Sequence, residues 1–125
     1  MLKIEHLTKK YGDFKAVDDL SLHIAPGEIY GFIGHNGAGK TTTLKSVVGI
    51  LQFDNGEIFI DGTSITADPL KCKKEIAYIP DNPDIYEFMT GIKYLNFVAD
   101  IFDVSAADRQ EKIRKYAEIF ELSSD

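Results

Sequence analysis

The chain has 125 residues, 44% hydrophobic and 27% charged, with 14 Lys+Arg against 20 Asp+Glu for a net charge of −6. That balance belongs to an ordinary folded domain and excludes a disordered tail, a collagen-like repeat and a low-complexity linker. No apolar run approaches the ~18 residues that cross a bilayer, and the single cysteine, Cys72, excludes an internal disulfide and a multi-cysteine zinc site.

The acidic sum argues against a chain built mainly to grip nucleic-acid phosphates. An anion site then needs positive potential concentrated locally. The charged start, MLKIEHLTKK, has no apolar signal core. Sparse cysteine suits a reducing compartment.

In chain order, residues 1–33 read mainly as strands. Leu2 and Ile4 alternate with polar neighbours, and Leu20, Leu22 and Ile24 repeat at period two. Between them lies the turn-rich Lys10-Tyr11-Gly12-Asp13. After Pro26-Gly27, residues 29–33 form a continuous apolar run, the pattern of a strand buried on both faces. The period then changes. Leu44, Val47, Val48 and Leu51 predict a helix over residues 40–51. Residues 56–62 are again mainly β, with Ile58 and Ile60 on one face and Asp61-Gly62 as a stop. A short helix is expected at residues 69–74 and an apolar strand at 76–79. Residues 90–122 read as helical, with Thr90 as an N-cap and Ser105 with Asp108 as a capping-box variant.

The chemistry concentrates in Gly34-His35-Asn36-Gly37-Ala38-Gly39-Lys40-Thr41, a full match to G-x-x-x-x-G-K-[ST]. Gly37 and Gly39 let successive N–H groups converge on a polyphosphate. The helix start near Lys40 aims its positive end at the same anion. Lys40 supplies charge for the β and γ phosphates, and Thr41 offers a hydroxyl to magnesium. Residues of average frequency produce such a match by chance in roughly 0.4% of chains this long. The preceding apolar run and the following amphipathic stretch make an accidental Gly-rich turn rarer still.

Other candidates weigh less. Tyr11 offers a face for stacking a purine, with Val17 packing beside it, although on spacing alone a tyrosine covering a strand edge is the more ordinary reading. Asp61 ends an apolar strand but sits in a turn pair. His6, His23 and His35 lack metal-ligand spacing. Cys72 lies among Lys71, Lys73 and Lys74, yet a buried, idle thiol is the commoner case.

Taken in order, Tyr11-Gly12, Ala16-Val17-Asp18-Asp19-Leu20-Ser21-Leu22, Pro26-Gly27-Glu28-Ile29-Tyr30-Gly31-Phe32-Ile33-Gly34 and the glycine loop resemble the start of an ABC transporter ATP-binding subunit. Gly56-Glu57-Ile58-Phe59-Ile60-Asp61-Gly62 and Ile76-Ala77-Tyr78-Ile79-Pro80 continue the likeness across essentially the whole chain. The resemblance implies an α/β fold: a P-loop NTPase core with an N-terminal antiparallel β subdomain and an incomplete sheet. It implies ATP and Mg2+ as ligands, Tyr11 as the adenine-stacking aromatic, and Thr42 near the α phosphate. It places Asp81 where the family usually has a glutamine that touches the metal and the attacking water, a subtype mark. Residues 86–91 resemble the segment that docks on a transmembrane partner. The implied partners are permease subunits and a second ATP-binding subunit, not nucleic acid. The implied location is cytoplasmic, on the inner face of the membrane.

The family's signature motif, catalytic glutamate and switch histidine do not occur in these 125 residues. The expectation is therefore roughly half of a nucleotide-binding domain, with ATP binding, negligible turnover by this chain alone, and exposed apolar surface that favours marginal stability or self-association. The alternatives are a soluble ABC-type ATPase acting on nucleic acid or ribosomes, and a non-catalytic nucleotide-binding fragment. A GTPase is disfavoured, because no Asn-Lys-x-Asp occurs.

Overall fold

The computed structural model describes residues 1–35, 37–81 and 88–122. They divide into two compact units, Met1–Ile79 and Pro80–Asp125. In the first, β1 (Leu2–Tyr11) and β2 (Phe14–Ile24) form a hairpin, and β3 (Asn55–Ile60) and β4 (Thr63–Ser64) form another. The sheet order is β2-β1-β3-β4, every pair antiparallel. Two short helices complete this unit, α1 (Lys40–Val47) and α2 (Pro69–Lys74).

β1 is the hub. Ile4 stands opposite Leu22 on one side and Ile58 on the other, so one rung runs across three strands. Ile4, Leu7, Val17, Val47, Ile58, Ile60, Ile65 and Cys72 form the core. Simple alternation would send His6 inward with Leu2 and Ile4. Instead His6 adopts a left-handed φ of 51° where the register shifts between Ile4 and Leu7. The bulge turns His6 out and brings Leu7 in.

The backbone groups displaced by the bulge find side-chain partners. The His6 N–H donates to Ser21 Oγ at 2.9 Å. The Asp19 N–H, on the facing strand with φ 52°, donates to Thr8 Oγ1 at 3.1 Å. The His6 ring and the Asp19 carboxylate then meet at 2.7 Å. Across β3, Gly56 has a φ of 105°, and a Cβ there would lie 2.6 Å from His6 O and 2.7 Å from Leu7 Cα. Only glycine lets β3 approach the bulge so closely.

The expected turn at Asp61-Gly62 joins β3 to β4, with φ of 47° and 81°. Asp61 also accepts from the Met1 ammonium at 2.7 Å, so its carboxylate serves the fold. The helix at 69–74 forms as expected: Asp68 accepts from Lys71 N–H at 3.2 Å, and Pro69 occupies the first turn.

Three expectations need correction. The phosphate-loop helix ends at Val47, not Leu51. Gly49, at φ 78°, closes it: Ile50 N–H donates to Lys45 O and Gly49 N–H to Ser46 O, the paired bonds of a Schellman motif. Residues 29–33 and 76–79 are not strands. Ile29 and Ile33 are 101% and 96% exposed. An apolar run becomes a strand only beside a partner that satisfies its backbone, and among the described residues no strand lies next to either run.

In the second unit, α3 (Gly91–Ile101) and α4 (Ala106–Ile119) form a helical pair. Thr90 and Ser105 are the N-caps as expected, accepting from Lys93 and Asp108 N–H at 3.4 and 3.2 Å. Arg109 ties the connection: its guanidinium donates to Asp100 Oδ1 at 2.7 Å, Val104 O at 3.0 Å and Asn96 Oδ1 at 3.2 Å.

Cys72 is buried, and its thiol donates to Thr63 O at 3.3 Å. Burial, with the nearby Asp68 carboxylate, pushes this thiol up from the ordinary range. The neighbouring lysines do not make it reactive. At pH 8 a thiol reagent will therefore label the folded chain at least about tenfold more slowly than free cysteine, and at the free rate in denaturant. Equal rates in both conditions would contradict the buried placement. Gly56→Ala will lower unfolding stability in urea by about 2 kcal/mol or more. Gly62→Ala, whose Cβ meets nothing within 4 Å, will cost about 1 kcal/mol. An equal cost at both positions would mean that the Gly56 contact is not maintained in solution.

Candidate functional site

The glycine loop lies in the first unit, between residues 29–33 and α1. Gly37 and Gly39 both take left-handed φ, 85° and 89°. Gly39 is the N-cap of α1 and has no side chain to accept from the first turn, and no acidic residue there offsets the helix dipole. A Cβ at Gly39 would overlap the Ala16 carbonyl oxygen and sit 3.3 Å from Val17 Cγ2. The loop is thus pressed directly onto β2. Within it, Ala38 N–H donates to His35 O at 3.1 Å, closing a tight turn.

The Lys40 ammonium folds back over this loop. It donates to Gly34 O and to His35 O, the latter at 3.2 Å. The positive charge therefore rests on loop carbonyls at the helix N-terminus, where an anion would be met by Lys40 and the helix dipole together. Asn36 lies outside the described residues.

The threonine run divides. Thr43 is buried, and its hydroxyl donates to Gly39 O at 2.8 Å. Ser46 does the same to Thr42 O at 2.8 Å. Both hydroxyls serve the helix backbone. Thr41 and Thr42 instead line an open groove.

That groove holds about 380 Å³ and is lined by Tyr11, Phe14, Ala16, Gly37, Gly39, Lys40, Thr41 and Thr42. Tyr11 is 51% exposed. Lys9 Nζ lies 5.1 Å from its ring centroid, a cation–π contact. Val17, expected to pack beside Tyr11, is 7% exposed and in the core, and it is not among the groove-lining residues. Phe14 and Ala16 stand at the groove instead. Neither was singled out from the sequence. The signal was the two-residue turn Gly12-Asp13, which makes its flanking residues face each other.

Asp81 is exposed and belongs to the second unit. Of the expected docking segment at 86–91, residues 86 and 87 lie outside the described residues. No described helix is long and apolar enough to cross a membrane. Among the described residues no group of three or more His, Cys, Asp or Glu side chains forms a metal cluster.

A family model described as ABC transporter matches residues 17–124. An uncharacterised ABC transporter ATP-binding protein, YhcH of Bacillus subtilis (strain 168), is 42% identical over 76% of this chain and 31% of its own length. The lipopolysaccharide export system ATP-binding protein LptB of Haemophilus influenzae is 38% identical over 98% of this chain and 52% of its own. A solved ATP-binding subunit of an ABC transporter superposes with a TM-score of 0.90 at 30% identity, covering 98% of this chain and 51% of that one. The chain thus spans about a third to a half of the curated relatives named here. The chain belongs to the ABC transporter family, among its ATP-binding subunits.

Proposed function

We propose that the groove binds ATP with Mg2+, and that the protein containing this chain uses ATP binding and hydrolysis to drive solute movement through permease subunits. One observation carries the binding step: a glycine loop, a lysine ammonium, two threonines and an exposed tyrosine line one groove. Gly37 and Gly39 let backbone N–H groups approach the phosphates. Lys40 exchanges the carbonyls of Gly34 and His35 for β- and γ-phosphate oxygens, so its charge passes from one set of acceptors to another. Thr42 faces the α phosphate, and Tyr11 stacks on adenine.

Magnesium, when bound, neutralises charge on the β and γ oxygens. The donor set fits that role. Thr41 supplies a hydroxyl at the groove, and magnesium ordinarily takes few protein ligands, with phosphates and water completing its shell. The catalytic glutamate belongs to a later part of the family pattern, so this chain alone is expected to bind ATP with negligible turnover. In the whole protein we assign a second ATP-binding subunit and transmembrane permease subunits as partners, on the cytoplasmic face of the membrane.

The net charge of −6 favours this reading over a nucleic-acid-directed ATPase. Calorimetric titration with MgATP tests the site. Lys40→Ala will weaken binding by about 10- to 100-fold, the range for losing hydrogen bonds from a charged group. Gly39→Ala will weaken it at least comparably by lifting the loop off β2. Affinity unchanged in Lys40→Ala would remove the assignment.

A further inference from the structure

Phe14 belongs to no motif, yet the fold places it at the nucleotide groove. It stands directly opposite Tyr11 across the hairpin turn. Opposed residues of an antiparallel pair project to the same face, and both rings line the groove with Gly37, Lys40 and Thr42. Phe14 is 62% exposed, more than Tyr11. A benzyl ring without a hydroxyl gains nothing from water there, beside a polar loop.

Tyr11 already receives the Lys9 ammonium against its ring. A base stacked on Tyr11 therefore presents its own far face, or its edge, to the rest of the groove. Phe14 is the other aromatic ring among the lining residues, and the small Ala16 beside it leaves room. Tyr11, Phe14 and Ala16 bring no amide or carboxylate to read the base edge. The hairpin end of the groove can hold a base by ring contact.

We propose that Phe14 is a second base contact, so that the nucleoside end of the ligand is gripped by a Tyr11–Phe14 pair at the hairpin tip. The proposal rests on reading the groove as a nucleotide site. It names a residue that sets the preference for a nucleoside triphosphate over a bare polyphosphate.

The test titrates the 125-residue chain with ATP and, separately, with inorganic tripolyphosphate. Phe14→Ala will weaken ATP by about fivefold or more, as loss of a base–aromatic contact does, and leave tripolyphosphate unchanged. Phe14→Trp will retain ATP affinity, whereas Phe14→Leu, which keeps apolar bulk without a ring, will show most of the loss seen in Phe14→Ala. Far-UV circular dichroism checks that each variant folds, and the tryptophan and leucine variants carry the test if the alanine one does not. Unchanged ATP affinity in Phe14→Ala would overturn the proposal alone, as would an equal loss for both ligands, which would mark Phe14 as a support for the loop. Tripolyphosphate binding that survives Lys40→Ala would overturn the phosphate-site reading itself, and the proposal with it.

Discussion

The site depends on one close approach, that of Gly39 to the Ala16 carbonyl. Because residue 39 has no Cβ, the start of α1 lies directly on β2. The same contact explains Val17. Its methyl group sits against Gly39 within the core, so it supports the loop from below and is not among the groove-lining residues. Ala16 faces the groove, and Phe14 lies two residues earlier on the same strand. The glycine-loop end and the aromatic end of the groove are thus positioned by one short stretch of β2, with Tyr11 fixed opposite by the hairpin register.

That stretch is positioned in turn by the bulge in β1. Leu7 joins the core because His6 takes a left-handed conformation, and Gly56 admits the bulge on the far side. Further register shifts follow between Leu7 and Lys9 and between Lys9 and Lys10. Each adds twist to the ribbon. At the hairpin end Lys9 and Tyr11, two residues apart on β1, come into contact. The hydroxyls of Thr8 and Ser21 make this tolerable by accepting from the two N–H groups that the ladder drops.

Much of this was legible from local chemistry. The glycine loop, the caps Thr90 and Ser105, the Asp61-Gly62 turn and the short 69–74 helix each depend on neighbours in sequence, and the structure forms them. Most of the rest is decided at longer range. Period two predicted β1 but not its bulge, because the reason for the bulge lies at Gly56, about fifty residues away. The exception is local: the stripe Leu44, Val47, Val48, Leu51 runs past the helix end, which Gly49 sets within it. Phe14 was overlooked because its importance comes from a cross-strand partner, which no single-strand pattern displays. The two apolar runs were read as strands from composition, but a strand also needs a ladder, and composition is silent about neighbours.

Those two runs clarify how the site is supported. Residues 29–33 lead straight into the glycine loop, so a buried strand there would be the natural anchor. Yet Ile29 and Ile33 are almost wholly in water, while Gly39 is seated on β2 and Val47 is in the core. Burying a side chain such as Ile contributes about 1.5–3 kcal/mol, so exposed isoleucines in an extended run create a strong drive towards a covering surface. The loop's seat on β2 does not wait for that cover. It is set by a backbone contact within the antiparallel unit, which holds the glycine loop, the Lys40 ammonium and the two aromatic rings at one groove while residues 29–33 stay exposed. Cover over those residues would then act on the loop from its other end, through Gly34, whose carbonyl holds Lys40. The lysine therefore links the exposed run to the groove: it is held by the Gly34 carbonyl at the end of the one and lines the other.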